Sequence, residues 1–222
     1  MIAKRRAALV TIGQTPRPDL VPEMRRWIGE SLELEEFGAL DGLTREDIAA
    51  MAPRERDHRL VTRLADGAEV IVRKDVIHER LQAMFDDLAG RDLFCTVLLC
   101  TGHFPPFRVA GLFLDSQTIV DQSVAAIARH ARTIGLMIPL REQIAEFHFR
   151  PGPDQVMRAA NASPYTPGRL EQASRELADS DVIVMHCMGY TDAMRHVVAE
   201  VSNRPVLLAR KLVASAIAQL VS

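Results

Sequence analysis

The chain has 222 residues, 48% of them apolar, enough to bury a substantial core in one large α/β domain or two small ones. Its formal net charge is -2 with both signs spread along the chain, so nothing draws it to nucleic acid or to an anionic membrane, and a small-molecule partner is expected. Three cysteines are an odd number without disulfide-framework spacing, which predicts a reduced, cytoplasmic protein.

Lys4-Arg5-Arg6 precede "AALVTIG", which is too short for the apolar region of a signal peptide and reads as a first strand, Ala7 to Ile12. Beyond it, "TIGQTPRPD" (Thr11 to Asp19) offers a hydroxyl, an amide and a guanidinium at a strand end. Arg17 there is either a bidentate partner for a substrate carboxylate or a solvated first-turn arginine. A helix is predicted over Arg17 to Glu30, a strand over Ser31 to Phe37 and a helix over Thr44 to Met51. A strand over Glu69 to Arg73 and a helix over Lys74 to Ala89 follow, then a strand over Phe94 to Leu99. The apolar "AGLFLD" (Ala110 to Asp115) reads as an interface segment or as core.

The second half repeats the alternation. Strands are predicted over Thr133 to Ile138, Gln155 to Ala159, Val182 to His186 and Val206 to Leu208. Helices are predicted over Asp121 to His130, Pro167 to Ala178 and Asp192 to Glu200, with a last helix after Leu208. "FHFRPGPD" (Phe147 to Asp154) and "NASPYTPGR" (Asn161 to Arg169) are Pro/Gly-punctuated loops, either of which could cover a cleft. No apolar segment reaches the roughly 20 residues of a membrane-spanning helix, so a soluble protein is expected.

This pattern predicts an α/β fold of two similar parallel-sheet, flavodoxin-like lobes. If pseudo-two-fold symmetry relates them, the active-site cleft lies between them. The expected lobes are residues 1–115 with 209–222, the last helix packing back on the first lobe, and residues 116–208.

Two strand ends carry a thiol before a glycine: "LLCTGHF" places Cys100 and "VMHCMGY" places Cys187. Parallel strands present ligand-binding residues at their carboxyl ends, and amides leading into a following helix favour a thiolate. A buried free cysteine is also a common inert core residue, which is the reading for Cys95, inside its strand with no glycine after it. His186, one residue before Cys187, points to the opposite face of a strand and reads as structural. Neither G-x-G-x-x-G nor a Walker loop occurs, and no His/Cys set has metal-ligand spacing, so neither cofactor nor metal is expected.

"TIGQTPRPDLVPE", "LLCTG", and "MHCMGY" followed by "RPVLLARKLVASAIAQL" together resemble the AroM family, itself similar to the aspartate/glutamate racemase superfamily. The resemblance covers nearly the whole chain. It implies cofactor-independent chemistry at a carbon next to a carboxylate or carbonyl, one thiolate removing a proton and the opposite thiol returning one. Carried onto this sequence, Cys100 and Cys187 are the acid/base pair. The substrate-binding set is then Thr11, Gly13, Gln14, Thr15, Arg17, Thr101, Gly102, Gly189, Tyr190 and Thr191, around a small carboxylate or cyclic amide.

A homodimer is a further implication of the superfamily. The turn after Cys187 reads "CMGY" where the amino-acid racemases usually read "CTHY", so the Thr-His helper of the second cysteine is missing. Three functions remain open on the sequence. They are a two-cysteine isomerase or racemase, a single-cysteine lyase or decarboxylase of the same superfamily, and a non-catalytic small-molecule-binding regulatory protein.

Overall fold

The structure, a computed structural model, describes residues 4–147, 152 and 154–221. Ten strands run β1 (Arg5–Thr11), β2 (Leu32–Gly38), β3 (Arg59–Arg63), β4 (Glu69–Arg73), β5 (Cys95–Leu98), β6 (Phe113–Asp115), β7 (Thr133–Ile138), β8 (Val156–Asn161), β9 (Val182–Met185) and β10 (Val206–Leu208). The helices are α1 (Val21–Ile28), α2 (Arg45–Ala49), α3 (Lys74–Leu88), α4 (Ser116–Ile127), α5 (Gln143–Glu146), α6 (Leu170–Glu176), α7 (Asp192–Ser202) and α8 (Ala209–Gln219).

Two parallel four-stranded sheets, β2-β1-β5-β6 and β8-β7-β9-β10, repeat one strand order lobe for lobe, as pseudo-two-fold symmetry requires. β5 and β9 are therefore equivalent strands, each beside the first strand of its lobe, and Cys100 and Cys187 follow them at their carboxyl ends.

The strands read as unbroken apolar runs because both faces of each sheet are covered. Along β1, Ala7 and Leu9 enter one core while Ala8 and Val10 enter another, the period-two alternation of a strand. The first of these cores is shared by the lobes: Leu9, Ile134 and Leu136 from the sheets pack with Met24 of α1, Val124 of α4 and Val213 of α8. Cys95 is sealed in this core, 1% exposed. The outer face of the first sheet packs on α3 through Ile77, Leu81 and Phe85, and that of the second on α6 and α7 through Ala173 and Val198. α8 lies against both α1 and α4.

Several predicted elements shift. Glu69 to Arg73 is not a strand of the first sheet; it pairs antiparallel with β3 to make a separate hairpin. The fourth strand of that sheet is instead β6, whose three residues are too few to register as periodicity. α4 starts at Ser116 rather than Asp121, because the Asp115 side chain accepts the Gln117 amide at 3.2 Å and caps the helix early. α1 starts at Val21, since the preceding residues form the turn that positions Arg17. The loop expected at Phe147 to Asp154 falls mostly outside the described residues.

Candidate functional site

Each thiol turn is a Cys-x-Gly unit with the same local bond. The Gly102 amide donates to Cys100 Sγ at 3.3 Å, and the Gly189 amide donates to Cys187 Sγ at 3.4 Å. The glycines are required by close approach. A Cβ on Gly102 would lie 2.8 Å from Leu60 of the hairpin, and one on Gly189 would lie 2.6 Å from the Tyr165 hydroxyl. Each turn is thus covered by a segment of its own lobe, and the two walls enclose a cleft of about 90 Å³ that both cysteines line. At about 10–15 Å³ for each water centre, that is room for several waters or a small organic molecule.

Hydrogen bonds between the lobes fix the width of the cleft. The Thr101 hydroxyl donates to the His186 carbonyl at 3.2 Å, Gln143 Nε2 donates to the Arg59 carbonyl at 3.3 Å, and Ser163 donates to Glu69. The strongest tie is Arg210 of α8, fully buried at 0% exposure. Its Nε and Nη2 donate to the Met188 carbonyl at 3.0 and 2.8 Å, and Nη2 also reaches the Gly189 carbonyl at 3.1 Å. Its Nη1 donates to the Asp19 carbonyl at 2.9 Å and to Glu23 at 2.6 Å. All the donors of a guanidinium are satisfied, the condition under which a buried charge is tolerated.

Of the predicted site residues, Cys100, Cys187, Arg17, Thr101, Gly102 and Gly189 line the cleft. The other six stand behind it. Thr11 accepts from Arg17 Nη1 at 2.9 Å, and Gly13 lets the first turn pack against Thr62 and Arg63 of the hairpin. The Gln14 amide donates to Leu40 and accepts from Ala65, while Thr15 donates to Asp41. Tyr190 is buried with its hydroxyl on the Ala162 carbonyl at 2.6 Å, and Thr191 caps α7 through the Met194 amide.

Arg17, which lines the cleft, is engaged within the protein: Nε and Nη2 grip Asp19 at 2.9 Å each, Nη1 donates to Thr11, and Nη2 also reaches the Tyr165 hydroxyl at 3.2 Å. Burial would raise the Asp19 carboxyl, but the Arg17 hydrogen bond and the Arg17 and Arg63 charges hold it below the usual range. The edge that would bind a carboxylate is already occupied by one.

The cleft residues that were not anticipated include Arg59 and Thr62 on β3, Lys74 at the start of α3, and Tyr165. The hairpin had a signal, since Asp66-Gly67 separates two short β-rich runs and Gly67 adopts φ +92°. Tyr165 lies inside the loop that was expected to cover a cleft. His186, read as structural, has its ring 3.1 Å from Asp121 and its carbonyl on Thr101, though it also borders the cleft. No group of three or more His, Cys, Asp or Glu side chains suited to a metal occurs among the described residues.

Burial is the largest influence on both thiols and favours their neutral form. Cys100 is pushed up to about 12, with the Gly102 amide and Lys74 opposing and nearby Cys187 and Asp115 adding to the rise. Cys187 is also raised by burial, but the Gly189 amide, Arg17 and Arg210 all pull it back. Burial, then the Cys187 charge, raises the Tyr165 hydroxyl, which stays protonated.

The family model described as AroM protein matches residues 7–221. No curated protein sequence matches the chain. Among solved structures, maleate cis-trans isomerase of Nocardia farcinica bound to TRIS aligns at 16% identity over 97% of this chain and 91% of that one, with TM-score 0.57. Unliganded arylmalonate decarboxylase aligns at 14% identity over 99% and 93%, with TM-score 0.58. Aspartate racemase of Picrophilus torridus aligns at 9% identity over 98% and 94%, with TM-score 0.59. At these identities the likeness is one of fold.

Two outcomes are expected. Alkylation of Cys100 by neutral iodoacetamide, followed by peptide mass spectrometry, should keep accelerating past pH 8.5 toward about 12, because the thiolate fraction grows only as pH approaches the raised value; a plateau near 8.5 would show an unperturbed thiol. Arg210→Met should lower unfolding free energy by about 3–5 kcal/mol in urea titration, since it strands half-buried Glu23 and four carbonyl contacts.

Proposed function

The chain belongs to the AroM protein family, and on that premise we propose that it is a cofactor-independent isomerase or racemase-like enzyme acting at a carbon next to a carboxylate or carbonyl of a small molecule. The observation that carries this reading is the pair of matching Cys-x-Gly turns, on equivalent strands, bordering one cleft. A carbon acid seated between the two sulfurs meets a base on one side and an acid on the other.

In the forward step a C–H bond breaks, an S–H bond forms, and the electron pair moves onto the adjoining carbonyl or carboxylate. In the second step the opposite S–H breaks and a new C–H forms on the other face. Cys187 is the thiol more readily ionised and so the starting base, because two guanidiniums and an amide oppose its burial, and Cys100, which keeps its proton to about 12, is the starting protonated partner. The Tyr165 hydroxyl accepts from Arg17, which leaves its own proton free to meet a developing negative oxygen. Tyr190, engaged with Ala162 and buried, does not take that part.

The asymmetry between the thiols favours one second reading, a single-thiol lyase or decarboxylase working through one of them. In that case one cysteine is dispensable.

The deciding experiment is α-proton exchange in deuterated water over amino acids, hydantoins and small dicarboxylates, read by NMR. Cys100→Ser and Cys187→Ser should each slow exchange by at least about a hundredfold, the ordinary value of a positioned acid or base. Full exchange in both variants would remove the two-thiol mechanism, and loss in one alone would select the single-thiol reaction.

A further inference from the structure

If Arg17 is committed to Asp19, Thr11 and Tyr165, an anionic ligand needs another cation. The remaining Arg and Lys side chains bordering the cleft are Arg59 and Lys74, both from the hairpin wall. They are neighbours: Arg59 pairs in register with Arg73, and the Lys74 amide donates to the His58 carbonyl at 3.0 Å. Arg59 is partly engaged, with Nη1 3.8 Å from Glu142 and Nη2 near the Arg54 and Glu55 carbonyls. Its Nε, however, is buried without a hydrogen-bond partner among the described residues. The hydroxyl of Thr62, 1% exposed on the same strand, likewise has none.

Half-buried Lys74 has no hydrogen-bond or ion-pair partner among the described residues. It lies close enough to Cys100 for its charge to favour the thiolate. Buried donors are ordinarily satisfied, so the unpartnered Lys74 and the unpartnered Arg59 Nε, both bordering one cleft, mark a place where ligand oxygens belong. The acidic side chain that borders the cleft, Glu146, is 3.1 Å from His58 and does not neutralise Lys74.

We propose that Lys74 is the carboxylate anchor of the cleft and sets the ligand against Cys100. This rests on the cleft being the ligand site but not on the proton-transfer chemistry. Specificity for an anionic over a neutral ligand then comes from the hairpin inserted between β2 and β5, not from the first-strand turn.

Alkylation of Cys100 tests this without turnover. Iodoacetate carries a carboxylate and iodoacetamide is its neutral counterpart. Both attack the same thiolate, so the ratio of their rates cancels the thiol's ionisation and reports the charge beside it. Lys74→Met should lower the iodoacetate-to-iodoacetamide ratio at Cys100 about fivefold, the effect of one unit charge a few ångströms away in a wet site. Lys74→Arg should keep most of the native ratio. An unchanged ratio in Lys74→Met would overturn the anchor. A lowered ratio in a chain that exchanges no α-proton would keep the anchor and remove the isomerase reading, so the two failures are distinguishable.

Discussion

The geometry of the cleft depends on one buried cation. Arg210 leaves α8 and closes onto two carbonyls of the Cys187 turn, the Asp19 carbonyl and the Glu23 carboxylate of α1. A guanidinium in a dry core is costly unless every donor is met, and here every donor is met. Glu23 also accepts the Asp192 amide, at 3.2 Å, so one carboxylate serves both the clamp and the amino end of α7. The result is a junction at which the first-strand turn, α1, the second thiol turn, α7 and α8 have a fixed relation. The shared core beneath it, with Met24, Val124 and Val213 in contact, keeps the two lobes from drifting apart.

Given that junction, the proposed proton transfer rests on unequal surroundings. Both thiols are held neutral by burial, yet the Cys187 side carries Arg17 and Arg210, whereas the Cys100 side carries Lys74 opposed by Asp115. Like thiols in unlike fields are what a proton relay needs, since a base and an acid must coexist at one pH. Arg17 holds Asp19 and Tyr165 with its fork, and its charge opposes the burial of Cys187. Among the described residues the hairpin has no equivalent in the second lobe, and the helix that follows it, α3, supplies Lys74. Symmetry builds the thiol pair; the departure from symmetry distinguishes one end of the cleft from the other.

Much of this was legible in the sequence. Alternating apolar runs and helical segments revealed the two lobes because sheets buried on both faces leave continuous apolar strands, and glycines after Cys100 and Cys187 marked the two strand ends that border the cleft. What was hidden depends on three-dimensional pairing. Arg17 and Asp19 are two residues apart, and nothing in that spacing says that the carboxylate fills the fork. In "LLARKLVA" Arg210 and Lys211 look alike, yet Arg210 is wholly buried while Lys211 stands 5.5 Å over the Trp27 ring. β6 was missed because three residues carry no period, and Lys74 was read as the start of a helix without its place beside Cys100.

The clamp is tested most directly by amide hydrogen exchange, read by mass spectrometry, on the native chain and on Arg210→Lys. A lysine keeps the charge but cannot hold both turn carbonyls together with Asp19 and Glu23. Exchange should then rise in the peptide spanning 186–191 and in the turn at 13–20, while the interiors of β7 and β9 remain protected. Unchanged exchange at both turns, or an equal rise throughout the chain, would show that Arg210 does not set the geometry of the cleft.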